Sequence, residues 1–185
     1  MSTGGVIVLV IAVLVVLALA GFAVMKFTQR KRLRERFGPE YDRTVADSDN
    51  RFSAEKELAE REKKHSEFEL RPLSPSAQDS YSRHWAVLQE QFVNSPEKAV
   101  TDADRLVTDL MAERGYPTEG YEAQLSVLSV EHAKTLDHYR KAHDISERQE
   151  IGEASTEDLR MAMVHYRSLF EDLLRTGSRK EKSDV

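Results

Sequence analysis

The sequence predicts an all-α protein: an N-terminal transmembrane helix, a charged helical stalk, then a small four-helix bundle-like domain. Three observations predict it. Gly4 to Met25 is 22 residues without a charge or a proline. Beyond it, glycines and prolines punctuate segments whose apolar residues recur every three or four positions. No stretch alternates convincingly at period two. The expected boundaries are an anchor with its basic flank over 1–36, the stalk over 37–73, the bundle over 74–176 and a disordered tail over 177–185.

The first element is the apolar run. At 1.5 Å rise per residue it covers roughly 33 Å, enough for a hydrocarbon core near 30 Å. A soluble core helix of that length would show a polar face, and none is visible. Ala18-Leu19-Ala20 has the look of a leader-cleavage site, but the preceding "MSTGG" carries no Lys or Arg, which a leader needs. The positive charge follows the run instead: Lys26, Arg30, Lys31, Arg32, Arg34 and Arg36 against one acid, Glu35. That pattern is a stop-transfer flank, and it places the C-terminal side in the cytoplasm and the N-terminus outside. Cleavage to a secreted form and the reverse orientation stay open as alternatives. These six side chains are the candidate contacts for lipid headgroups, besides setting topology. Small residues four apart are absent, so the span shows no helix-pairing signal.

The stalk follows. "SAEKELAEREKKHSEFEL" is helix-prone but nearly all charged, with Phe52, Leu58, Phe68 and Leu70 to bury. Such a helix reads as a solvated spacer.

Four bundle helices carry start and stop signals. Ser74-Pro75 and Ser95-Pro96 each supply a cap and an N1 proline. The first helix presents Ala77, Tyr81, Trp85, Leu88 and Phe92. The second presents Ala99, Val100, Ala103, Leu106, Val107, Leu110 and Met111 before Gly115. A short helix over 121–128 links to a third that follows Ser129, with Val130, Ala133, Leu136, Tyr139 and Ala142 inward. The fourth opens on "STED", where Ser155 and Asp158 fit a capping box. It then presents Leu159, Met163, Tyr166, Phe170, Leu173 and Leu174.

The chemistry-bearing residues exclude more than they assign. The chain has no cysteine, so disulfides, thiolate metal sites and cysteine nucleophiles are excluded. Outside the flank, 21 basic face 31 acidic residues, which disfavours nucleic acid as a partner. His132, His138 and His143 lie six and five apart, off any common helix face, and Glu62-His65 is a lone Glu-x-x-His, so no metal site is expected. No nucleophile elbow, phosphate-binding glycine loop or zinc-protease motif occurs, so no catalytic residue and no cofactor is expected. His84 and His165 are expected at the edge of the core. Trp85 and Tyr166, which most simply belong to the core, are also the candidate partner surface, because such aromatics favour interface hot spots.

The strings "RFGPEYDRTV" (36–45), "LRPLSP" (70–75), "AERGYP" (112–117) and "GEASTEDLRMAMVHYRSLFEDLL" (152–174) occur together. In combination the chain resembles a family of small single-pass bacterial membrane proteins, common in high-GC Gram-positive lineages and labelled as membrane, secreted or hypothetical proteins. The resemblance implies a bacterial source and a cell-membrane location, and no activity, cofactor or catalytic residue comes with it.

These readings lead to the expectation of a non-enzymatic protein-interaction or scaffold module at the cytoplasmic face. Its partners would be the lipid bilayer and another protein. An extracytoplasmic helical envelope domain, and an enzyme or ligand-binding bundle with an unrecognised site, are the alternatives. A buried polar cluster would favour the latter.

Overall fold

A computed structural model describes residues 3–118 and 120–181, with the backbone alone for 3–10 and 176–181. The described residues form eight helices and no strand: α1 (Thr3–Phe37), α2 (Pro39–Asp47), α3 (Arg51–Ser66), α4 (Pro75–Asn94), α5 (Pro96–Glu113), α6 (Tyr121–Glu131), α7 (Leu136–Glu150) and α8 (Thr156–Glu181). The all-α class follows the sequence. The chain divides into two compact units, Met1–Leu58 and Ala59–Val185.

In the first unit α1 is one unbroken helix, long and apolar enough to cross a membrane. Its large apolar side chains from Ile11 to Met25 are 50% to 66% exposed, so no protein surface covers them. Lower down, Leu33 and Phe37 are buried. Gly38 then takes φ +49, a left-handed conformation that favours glycine, and Pro39 starts α2 at once. The turn is sharp enough for Asp42, four residues beyond it, to reach Arg34, four before it, at 2.7 Å. The segment read as a solvated stalk is therefore folded here. Tyr41, Ala54 and Leu58 are buried, while Phe52, expected inside, is exposed.

In the second unit α5 packs on α4, α7 and α8, and α7 packs on α8, with α6 against α7. All seven apolar residues expected from α5 are buried. The caps largely follow the sequence. Ser74 Oγ accepts from the Ala77 amide, and Ser155 and Asp158 bond reciprocally as a capping box. Ser95 makes no side-chain cap, and Pro96 alone marks that start. After α5, Gly115 has φ +85, Tyr116 N–H donates to Met111 and Gly115 N–H to Ala112, the paired bonds of a Schellman end.

Two helix boundaries differ from expectation. The third bundle helix does not begin after Ser129: α6 runs through to Glu131 and α7 starts only at Leu136. Between them the His132 carbonyl accepts from the Thr135 and Leu136 amides, which closes a turn and lets the His132 ring enter the core. Val130, Leu136, Tyr139 and Ala142 are buried as expected, and Ala133 only partly. The helix α8 continues through Gly177 to Glu181. The rest of the expected tail, 182–185, lies outside the described residues.

Candidate functional site

The six basic side chains expected at lipid headgroups divide between two roles. Arg30 Nε donates to Glu55 Oε1 at 2.8 Å, and Tyr41 Oη donates to the same oxygen at 3.0 Å. Arg34 pairs with Asp42 and lies over the Tyr41 ring, while Lys31 is 3.9 Å from Glu35. Lys26 sits over the rings of Phe22 and Phe52. Arg32 and Arg36 are exposed. Arg30 and Arg34 are thus held by acids of α3 and α2 that sequence reading assigned to a spacer. Burial works to raise the Glu55 carboxyl, but the Arg30 and Tyr41 hydrogen bonds outweigh it and hold it below the usual range.

In the second unit a buried polar row crosses the core. His132, in the turn after α6, is 1% exposed. Its Nδ1 lies 2.8 Å from Asp172 Oδ2 on α8, and its Nε2 lies 2.9 Å from Tyr116 Oη. Thr135 Oγ1 donates to the same Asp172 oxygen at 2.9 Å. Beyond Tyr116, Glu131 Oε2 is 3.3 Å away, and His65 Nε2 is 3.4 Å from Glu131 Oε1. Arg114, also buried, stacks over Tyr116 and donates to the Leu173 carbonyl at 2.8 Å. Burial raises the Asp172 carboxyl, yet the His132 and Thr135 bonds prevail and keep it below its ordinary value. Burial pushes the Tyr116 hydroxyl up despite the Arg114 charge, so it stays protonated.

The hydrogens of this row are coupled. With Nδ1–H donated to Asp172, a neutral ring accepts from Tyr116 Oη–H through Nε2. A charged ring reverses that bond, and Tyr116 then donates to Glu131. The order carboxylate–imidazole–hydroxyl is the one in which a carboxylate fixes the ring orientation and the ring holds the hydroxyl. Tyr116 is only 3% exposed, which closes it to a substrate.

Neither aromatic expected at a partner surface is exposed. Tyr166 is fully buried and donates to Asp104 at 2.8 Å across α5 and α8, so its hydroxyl is satisfied inside. Trp85 stacks on Phe170 with centroids 4.7 Å apart and is 5% exposed. The face that apolar spacing marks is covered here by α8. Trp85 does line a groove of about 190 Å³ with Phe92, Met163 and Val164, rimmed by Arg160 and Arg167. A second, polar trough between α4 and α5 holds Ser80, His84 and Asp109, with Tyr81 Oη donating to Glu113 at 2.8 Å. His84, expected at the core edge, is exposed; His165 is half-buried, with its Nδ1 2.9 Å from that of His138.

Among the described residues no group of three or more His, Asp or Glu is arranged to hold a metal ion. Sequence reading missed the His132 row because its members lie 16 and 40 residues apart. No family model, curated protein or solved structure matches the chain.

Proposed function

We propose that the chain is a single-pass membrane protein, N-terminus outside and C-terminus in the cytoplasm, whose bundle is a non-enzymatic binding module for another protein. The observation that carries the anchoring is the bare apolar surface of α1. Its side chains are too apolar to face water over this length and meet no protein. The lack of Lys or Arg before the apolar run supports a retained span over a cleaved leader. The basic flank supports the orientation. For the module, the groove beside Trp85 offers apolar walls between charged rims, the anatomy of a docking surface.

Orientation is tested with single cysteines at Ser2, Ser53 and Ser178, since the natural chain has none. An impermeant maleimide applied to intact cells should label Ser2 alone. Labelling at Ser53 and Ser178 would reverse the orientation, and a shortened labelled chain would identify a cut leader. For the module, a photo-crosslinker at Val164 should give a discrete protein adduct that Gln89→Trp, which fills the groove, removes. Adducts with lipid alone, or none, would remove the binding-module reading.

The buried His132 row favours a second reading, an enzyme or ligand-binding bundle. It ranks lower because both His132 and Tyr116 are closed to solvent. A ligand that protects Tyr116 from exchange or shifts its spectrum would reverse that ranking.

A further inference from the structure

The first unit contains a ruler. Lys26 on α1 reaches Phe52 on α3, its Nζ 5.1 Å from the ring centroid. One turn further along each helix, Arg30 reaches Glu55 at 2.8 Å. The residue numbers rise together, so α3 runs beside α1 in the same direction, and its first turn is level with Lys26. Lys26 is the residue that ends the apolar run. The α2–α3 turn and Phe52 therefore stand at the height where the span would leave the hydrocarbon.

Phe52 is an anomaly in a segment so charged. It is 66% exposed, although Ala54 and Leu58 on the same helix are buried. It is not isolated, however. Lys26 bridges it to Phe22, whose ring centroid is 5.8 Å from the ammonium and which is 57% exposed. The apolar surface of α1 thus continues onto the first turn of α3. Of the charges near it, Arg30 is neutralised by Glu55 at 2.8 Å.

We propose that the first turn of α3 is seated on the bilayer surface, with Phe52 inserted among the lipid headgroups beside Phe22 and with Lys26 at the boundary. Continuity with the apolar surface of α1 identifies lipid as the occupant. The inference rests on the spanning reading of α1. Its consequence is that α2 and α3 form a collar fixed to the membrane, instead of a spacer free to swing.

The test places an environment-sensitive fluorophore on single cysteines at Val13, Phe52 and Glu35 of the full chain, reconstituted in phosphatidylcholine vesicles. Phe52 is exposed, so its replacement removes little packing. Glu35 lies ten residues past Met25, roughly 15 Å along the helix, and serves as the aqueous reference. Emission is then quenched by a lipid-borne nitroxide or by a water-soluble ion. Val13 and Phe52 should both lose emission to the lipid nitroxide, and Glu35 to the aqueous ion. Phe52 quenched from water while Val13 is quenched from lipid would overturn the seating and leave the anchor intact. Phe52 protected from both quenchers would place it against protein and overturn the seating as well. Val13 quenched from water would overturn the spanning reading itself.

Discussion

Arg30 and Glu55 meet at 2.8 Å across 25 residues of sequence, and the pair turns a basic flank into a folding element. Glu55 is the buried member, shared with Tyr41. Removing it leaves the Tyr41 hydroxyl without its acceptor and α3 without its tie to α1. Glu55→Ala is expected to speed limited proteolysis at Ser48–Asn50 severalfold. Glu55→Gln, which keeps one acceptor oxygen, should do so less. Equal rates in all three proteins would show that the pair does not hold α3.

His132 has two bonded nitrogens and almost no solvent, so its removal weakens the satisfaction of both partners. His132→Ala takes one partner from the Asp172 carboxylate, which keeps Thr135 and Arg175, and takes from Tyr116 its nearest partner. The expected loss is about 2 kcal/mol, in the range for removing one partner from buried polar groups. Tyr116→Phe removes the hydroxyl from both His132 and Glu131 and should cost about 1–2 kcal/mol. Urea unfolding followed by Trp85, the single tryptophan, measures both. A His132→Ala midpoint equal to that of the natural chain would mean the row is solvated rather than buried.

Local signals made the bundle legible, and tertiary distances hid the rest. Apolar spacing found the faces of α4, α5 and α8, and Ser74, Gly115 and Ser155 marked their ends, because these effects act within one or two turns. The gap after α6 was missed because Val130, Leu136 and Tyr139 fit one continuous helix equally well. Spacing also marks a face without saying what covers it, which is why Tyr166 could be read as surface. Asp42 and Glu55 looked like solvent charges because their cationic partners lie on α1, eight and 25 residues away. The His132 row joins three elements and leaves no periodic trace.

Gly115 is constrained twice. Its φ of +85 disfavours any side chain, and a Cβ there would stand 2.7 Å from the Glu69 carbonyl oxygen. Nearby, Arg71 N–H donates to the Arg114 carbonyl at 2.9 Å, so the backbone carrying Glu69 has little room to retreat. Gly115→Ala should therefore cost about 2–4 kcal/mol, against about 1 kcal/mol for the conformation alone. Gly152→Ala, with a similar φ and open space around its Cβ, is the matched control and should cost only the conformational part. A thermal or urea midpoint that falls equally for both would show that the contact with Glu69 is not tight.

The pH dependence should come in two separate steps, with signs set by His165 and Asp172. His165 lies below its ordinary value: burial disfavours its charged form first, then His138 and Lys141, with Asp137 opposing. Its Nδ1 is 2.9 Å from that of His138, a geometry that accommodates one proton between the rings and not one on each. On acidification the unfolded chain takes its proton near pH 6.5, before the folded chain does, so it binds more protons in that window. Stability contributed by neutral His165 is thus full above about pH 6.5 and is lost as pH falls through the lower folded value. Asp172 acts at lower pH, since its folded value is depressed below that of a free aspartate. Its contribution is present above about pH 4 and disappears as pH falls towards the folded value. His165→Gln should flatten the upper step and leave the lower, and Asp172→Asn should reduce the lower step, which Glu55 and Asp102 share, and leave the upper. Urea midpoints at pH 7.5, 6, 5, 4, 3 and 2 measure this, and a midpoint that rises between pH 7.5 and pH 5 would show that His165 binds its proton more readily in the folded protein than free in water.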